Sequence, residues 1–373
     1  MKRILFFILC LEGAVLSFNV AASSALVPSI ASSFALSQFV TGNIIWLYMI
    51  PYGLAALFYG PLVRLFNARK IELTCIFLFS MSNLMAGLAG HIRVLFIARF
   101  LMGIFGASVI PLGIILISRY ARKDARGGHI GVFFASSFVS SLAGLLLSGV
   151  IPWRAIFVIP ACLGLALWVF MYFYLPDLEA GKQKIRFGYP LLFRSRKAIG
   201  LFIYIFSISL VYHGIQQWLG VYFSTQFFLE QFYISILITL TSFSGIFGEL
   251  WGGRLSDKIG RGKVACLGVV GMIACACLFL GRISPGPLAI VMVFWGLSWT
   301  FNHAALATLL TDLPEEFLNE AAGLNSGVRF ISGGIGAGLG GFLMQRSFSM
   351  AFLCFGSMLL VILFTGRFLL SQK

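Results

Sequence analysis

Twelve predominantly apolar stretches, most of them about 20 residues long or longer and separated by short polar breaks, leave this chain few ways to fold. They run over approximately 4–30, 40–63, 71–90, 94–118, 128–151, 155–175, 199–222, 233–252, 264–281, 286–311, 319–344 and 348–370. As a helix, a stretch of that length crosses the roughly 30 Å hydrocarbon core of a bilayer. No water is available there, so each stretch must satisfy its own backbone hydrogen bonds, and helices are predicted throughout. Composition agrees: 60% of residues are hydrophobic and 10% charged, against about 25% charged in soluble domains. The chain reads as an all-α membrane protein with twelve transmembrane helices and no soluble domain.

The net charge of +15 raises the question of nucleic acid, and its distribution answers it. With a cytoplasmic N-terminus and alternating spans, 21 of the 27 Lys and Arg residues fall in inner segments. Four (Arg93, Arg154, Arg282, Arg346) fall outside and two (Arg99, Arg329) inside spans. Inner loops of membrane proteins carry this excess. Both termini are therefore predicted to be cytoplasmic, in a bacterial inner membrane, with no nucleic-acid partner and a monomeric state. The Lys2-Arg3 start and the apolar run after it are read as the first span, not as a cleaved leader. All seven cysteines lie in or at the ends of spans, where Cys acts as a small apolar residue. Their spacing offers neither a disulfide framework nor a metal site, and no cofactor is expected.

An internal repeat orders the spans. Gly253 to Lys263 reads G-R-L-S-D-K-I-G-R-G-K, and a fainter copy 193 residues earlier, Gly60 to Lys70, reads G-P-L-V-R-L-F-N-A-R-K. Gly103 and Gly296 match at the same offset; Gly131 and Gly323, Gly144 and Gly336, and Gly149 and Gly341 match at 192. The longest polar stretch, Asp177 to Lys197, lies between spans six and seven. The predicted organisation is a six-helix bundle over 1–176, a cytoplasmic linker over 177–197 and a second, pseudo-symmetric six-helix bundle over 198–373. Transporters commonly carry such repeats.

On these residues the chain resembles the major facilitator superfamily. Gly253, Leu255, Asp257, Gly260, Arg261 and Lys263 stand at the positions of that family's signature loop between spans eight and nine. In the first-half copy Gly60, Leu62 and Lys70 are kept, while Arg64 takes the acidic position and Asn67 the glycine position. Arg99 to Gly106 is similar to the family's Arg-x-x-x-Gly-x-x-Gly pattern in span four, and Trp153-Arg154-Ala155-Ile156-Phe157 to the opening of span six. The resemblance implies two bundles that rock about a central cavity, with the loops as a cytoplasmic gate. In that picture the glycines let helix ends pack closely, and Asp257 sits against a helix N-terminus and Arg261. Glu249, a few residues before the loop, is a further gate candidate, and Arg64 has the acidic segment Asp312, Glu315, Glu316 and Glu320 as an alternative partner. Within the family the chain looks most like the twelve-span proton-coupled drug and metabolite exporters.

Ionisable residues inside spans need a partner or a use, because insertion there costs roughly 2.5–3.5 kcal/mol. Glu12 lies nine residues past Arg3, about 13 Å along a helix, a depth near the midplane. A carboxyl out of water favours its protonated form and a nearby cation its charged form, so Glu12 is the candidate for proton coupling, or an acid neutral throughout and hydrogen-bonded in the core; in the exporters the chain resembles, an acid in span one often serves the coupling role or binds cationic substrate. Arg99 and Arg329 are candidates for an anionic group, or structural arginines bound to carbonyls and neighbouring helices. His213 and His303 can titrate near neutral pH, or be hydrogen-bonded interior residues. Asn19, Trp46, Gln217, Trp299 and Asn302 are candidate cavity walls, each with the alternative of an interface belt or a helix-to-helix bridge.

Three functions follow. The first is a secondary active transporter working by alternating access, a proton-coupled exporter of an organic small molecule. The second is an uptake symporter for an anionic metabolite with Arg99 and Arg329 as anion sites. The third is a non-transporting membrane sensor. An enzyme is not expected: there is no Ser/His/Asp arrangement, no metal cluster and no phosphate loop, and the glycines of 333–341 follow no strand.

Overall fold

The computed structural model describes residues 3–122, 125–175, 192–281, 284–313 and 318–370. Every regular element among them is a helix. The chain separates into two compact units, Met1–Phe187 and Gly188–Lys373. Most of the linker expected over 177–197 lies outside the described residues, which resume at 192.

In the first unit, α1 (Arg3–Ser17), α2 (Ala22–Ala25) and α3 (Val27–Phe34) form a broken first span. The second is α4 (Gln38–Thr41) with α5 (Asn43–Leu65), the third α6 (Ala68–Gly87), and the fourth α7 (Ile92–Gly106) with α8 (Val109–Tyr120). The fifth and sixth are α9 (Arg126–Leu147) and α10 (Trp153–Tyr174). In the second unit α11 (Arg196–Gln216) and α12 (Leu219–Gln226) form span seven. Spans eight to twelve are α13 (Gln231–Ile259), α14 (Arg261–Leu280), α15 (Pro285–Thr311), α16 (Leu318–Arg346) and α17 (Phe348–Leu369). Eleven of the twelve are long and apolar enough to cross a membrane. The remaining one, α6, has 20 residues but carries Arg69, Lys70, Glu72 and Asn83. Phe173, Val169, Val361, Phe364 and Phe368 are each at least half exposed on α10 and α17, which suits hydrocarbon and not water. The protein is a multi-pass integral membrane protein.

Helix pairing repeats between the units. In the first, α1 packs on α9, α5 on α7, and α6 on both α7 and α10. In the second, α11 packs on α16, α13 on α15, and α14 on both α15 and α17. In span order, the pairs one–five, two–four, three–four and three–six recur as seven–eleven, eight–ten, nine–ten and nine–twelve.

Glycine sets how closely these helices cross. A Cβ at Gly144 of α9 would run into the carbonyl of Phe18, and one at Gly336 of α16 into the carbonyl of Leu210. Both members of the second pair lie 192 residues beyond those of the first. A Cβ at Gly103 of α7 would meet the Tyr48 carbonyl, and one at Gly296 of α15 the Thr241 carbonyl, now at an offset of 193. The glycine matches in the sequence thus mark the same two backbone-to-backbone crossings in each unit, where only a residue without a side chain fits.

Candidate functional site

In the first unit Glu12 of α1 and Glu72 of α6 are both fully buried. The two carboxyls face one another closely enough to interact, yet none of their four oxygens makes a hydrogen bond of acceptable geometry. Among the described residues no Lys, Arg or His forms an ion pair with either. Their polar neighbours are neutral. Tyr59 of α5 donates to the Ile104 carbonyl at 2.9 Å and accepts from Cys75 Sγ at 3.4 Å, and both side chains lie within electrostatic reach of Glu72. Two bare carboxylates so placed repel each other in a medium that screens poorly. A proton held between them turns the repulsion into a hydrogen bond.

Contact with Glu72 also corrects the depth of Glu12. Counting residues from Arg3 put it near the midplane, but it stands level with the first two turns of α6. Helix α1 is the first piece of a longer broken rod, so Arg3 is not the membrane edge from which to count. Sequence reading missed Glu72 because it follows Lys70 by two residues and resembles a loop charge. The available signal was the helical period: Glu72, Cys75, Ile76, Phe79, Asn83 and Ala86 form one buried stripe on α6.

Of the other first-unit cavity candidates, Asn19 and Arg99 hold helices together and Trp46 bonds within its own helix. Asn19, fully buried at the break after α1, donates to Asn83 Oδ1 at 2.5 Å, and Asn83 donates to the Phe79 carbonyl at 2.9 Å. Trp46 donates to Asn43 Oδ1 one turn away, at 2.7 Å. Arg99, 1% exposed, donates from Nε to the Ile44 carbonyl at 3.0 Å. Its guanidinium lies 4.4 Å from the Tyr48 ring centre and 6.0 Å from that of Phe157. With Gly103 against the Tyr48 carbonyl, the Arg99–Gly106 pattern is a clamp of span four on span two. Trp153 and Arg154 do similar work: Trp153 donates to Ser33 Oγ at 2.8 Å, and Arg154 to the carbonyls of Gly87 and Ala89 at 3.1 and 2.8 Å.

The second unit brings six candidates together. The Tyr212 ring of α11 stacks on Trp299 of α15 at 3.8 Å with 7° between planes, and Trp295 lies 5.4 Å beyond Tyr212. His213 and His303 lie 5.9 and 6.0 Å from Trp299. Gln217 sits 3.2 Å from His213 Nδ1. His303 Nδ1 lies 2.5 Å from Glu249 Oε1. Arg329 of α16 stands 5.9 Å from the Trp299 ring and within electrostatic reach of Glu249. The buried framework behind this group consists of Gln216, which accepts from Trp295 Nε1 at 2.7 Å, and Trp218, which donates to the Ala337 carbonyl at 2.7 Å across the break after α11. Asn302 is not part of it. It is fully buried and donates to Tyr204 and to the Ala265 carbonyl at 2.9 and 3.0 Å, bridging α15 to α11 and α14.

The loop residues divide by role. Gly260 adopts φ +96° and ψ 141°, a conformation reserved for glycine. Its counterpart Asn67 adopts φ −61° and instead caps α6, accepting from the Arg69 amide at 2.9 Å. Close packing does not occur at Gly60 or Gly253, where an added Cβ meets nothing within 4 Å among the described residues. It occurs at Gly248 and Gly252 of α13, against α15. Arg261 pairs with Asp312 and donates to the Thr308 carbonyl at 3.2 Å, while Asp257, Lys70 and Lys263 are exposed. Glu249 turns to His303, away from the loop. Glu315 and Glu316 lie outside the described residues, as do the side chains of Arg64 and Glu320. A cavity of about 400 Å³ at one end of the second unit, lined by Tyr222, Phe279, Ser284 and Phe348 among others, touches none of the candidate residues.

The family model described as Major Facilitator Superfamily matches residues 9–337 and 231–373. The uncharacterized MFS-type transporter YbcL of Bacillus subtilis is 22% identical over 354 residues, covering 89% of this chain and 88% of that protein. A probable sugar efflux transporter of Pasteurella multocida is 24% identical over 339 residues, covering 86% of this chain and 81% of its own length. Among solved structures, the nucleoside transporter NupG superposes with a TM-score of 0.78 over 100% of both chains at 15% identity; that likeness is one of fold.

Proposed function

Because the chain belongs to the Major Facilitator Superfamily, a family of transporters and not of enzymes, we propose that it is a proton-coupled exporter of an organic small molecule. The observation that carries this reading is the buried Glu12–Glu72 pair, which forms no ion pair with a Lys, Arg or His among the described residues. Such a pair is a site for a proton: one proton relieves the repulsion, and its loss restores it. The repulsion then favours whichever conformation separates or hydrates the carboxyls. Coupling requires this kind of differential stability between two states. Tyr59 and Cys75 supply neutral hydrogen-bonding groups at the pair's edge. Export agrees with the name of the Pasteurella multocida relative, a probable sugar efflux transporter, and sugars are the first class to try. The alternative, an uptake symporter for an anionic metabolite, called on both Arg99 and Arg329; Arg99 is engaged by Ile44 and Tyr48, which weighs against that version. The expected setting is a bacterial inner membrane, with the protein acting as a monomer.

The test uses proteoliposomes loaded with a pH-sensitive dye and offered sugars and a sugar acid (glucose, xylose, lactose and D-glucuronate) under an imposed pH gradient. Proton movement that depends on at least one of them is expected from the native protein. Replacement of either acid, Glu12→Gln or Glu72→Gln, is expected to reduce it at least tenfold while downhill sugar exchange continues. Coupled movement that survives both substitutions together would remove the pair from the mechanism, and the direction of sugar movement down the proton gradient distinguishes export from uptake.

A further inference from the structure

Arg329 and Arg99 are both buried guanidiniums, and they differ in what surrounds them. Arg99 donates from Nε to a carbonyl and lies over the face of Tyr48, with Nη1 alone left without a hydrogen-bond partner among the described residues. Arg329 is 9% exposed, and only its Nε is used, donating to Asn325 Oδ1 at 2.9 Å. Neither its Nη1 nor its Nη2 has a hydrogen-bond partner among the described residues. Leaving charged donors buried and unmet is costly, and the cost is relieved by any ligand that brings the acceptors. Two parallel N–H groups on a planar fork match the two oxygens of a carboxylate.

The surroundings restrict what such a carboxylate is attached to. Trp299, 5.9 Å from the guanidinium, is partly exposed and is held rigidly by Tyr212 stacked on it. A rigid aromatic surface of this kind suits a flat or ring-bearing body. Gln217, His213 and the His303–Glu249 pair, all partly exposed, add polar groups around it. Glu249, within electrostatic reach of Arg329, adds a carboxyl to the site and so disfavours a second anionic group on the ligand.

We infer that this cluster of the second unit binds a ring-bearing organic monocarboxylate, with the carboxylate on Nη1 and Nη2 of Arg329, the ring against Trp299, and polar substituents toward Gln217 and His303. The inference rests on the reading of the protein as a small-molecule transporter and names its substrate class. It does not depend on the Glu12–Glu72 pair or on the direction of transport. Two sources share this chemistry, sugar acids and aromatic acids.

The experiment measures binding to the purified full-length protein in detergent, by tryptophan fluorescence and calorimetry. The probes are D-glucuronate and benzoate, with glucose and benzyl alcohol as their neutral counterparts. At least one acid is expected to bind, with its neutral counterpart at least tenfold weaker. Arg329→Gln is expected to weaken that acid at least tenfold, and Trp299→Leu to weaken it as well. Arg329→Lys keeps the charge and loses the fork, so it is expected to stay weakened at an unchanged melting temperature; it carries the test should Arg329→Gln fail to fold. Binding of glucuronate alone identifies a sugar acid, and of benzoate alone an aromatic acid. The inference is overturned if neither acid binds, if the neutral counterparts bind as tightly, or if the Arg329 variants bind like the native protein. The same titration on Glu12→Gln separates the two proposals: acid binding that persists where coupling is lost leaves this site standing, and coupling without acid binding leaves only the proton pair.

Discussion

A single charged side chain buried in a helix bundle is either a strut or a working part, and its partners say which. Arg99 is a strut. Removing it as Arg99→Ala deletes a charge-assisted hydrogen bond to Ile44, empties the face of Tyr48 and opens a hole between α5 and α7. A loss of about 2–4 kcal/mol is expected, read as a lowered melting temperature in detergent with acid binding at Arg329 unchanged. Glu12, by contrast, could be recognised from the sequence because it stands alone in an apolar run. Glu72 could not, because nearness to Lys70 disguised it and only the rotation of α6 shows which way it faces. The same limit applied to polar candidates. Asn19 and Asn302 read as cavity walls, yet each spends its amide on a neighbouring helix, since an amide in hydrocarbon finds whatever partner lies nearest. The grouping of His213, Gln217, Trp299, His303 and Arg329 draws on α11 and the break after it, on α15 and on α16, and no spacing within one helix could announce it.

Helices in hydrocarbon gain nothing from hiding apolar surface, so they associate where backbones fit. That is why the glycine matches at 192 and 193 residues were legible as a repeat before their role was known. Gly144 and Gly336 accept a neighbouring carbonyl in the space where a side chain would stand. Gly144→Val and Gly336→Val are each expected to destabilise the protein by about 1–3 kcal/mol or more through overpacking. The two should be similar in size, because the crossings are equivalent; expression level and thermal melting in detergent report it. Gly131→Val meets open space and serves as the neutral control, although it too belongs to the repeat. The signature loops show the opposite course. Gly260 keeps a glycine-only backbone, while Asn67 has given up that conformation and become a helix cap, so the two copies no longer share a backbone shape.

For the molecule as a whole, the apolar stretches were the most legible feature, and the distribution of Lys and Arg makes a claim that is easily tested. Green fluorescent protein fused after Lys373 is expected to fluoresce and alkaline phosphatase at the same site to be inactive, as for a cytoplasmic terminus; the reverse pattern would reject the orientation. The one stretch that falls short of the others, α6, carries a meaning for how the protein is made. A nascent segment bearing Arg69, Lys70, Glu72 and Asn83 partitions poorly from the translocon into lipid by itself. It is expected to wait for a partner and to shelter its polar stripe against α1 and the break after it, where Glu12 meets Glu72 and Asn19 meets Asn83. The acid proposed to hold a proton is thus expected to make the third segment the hesitant step of biogenesis, and a chain in which Glu72 is replaced by Leu should integrate more readily as it loses that group.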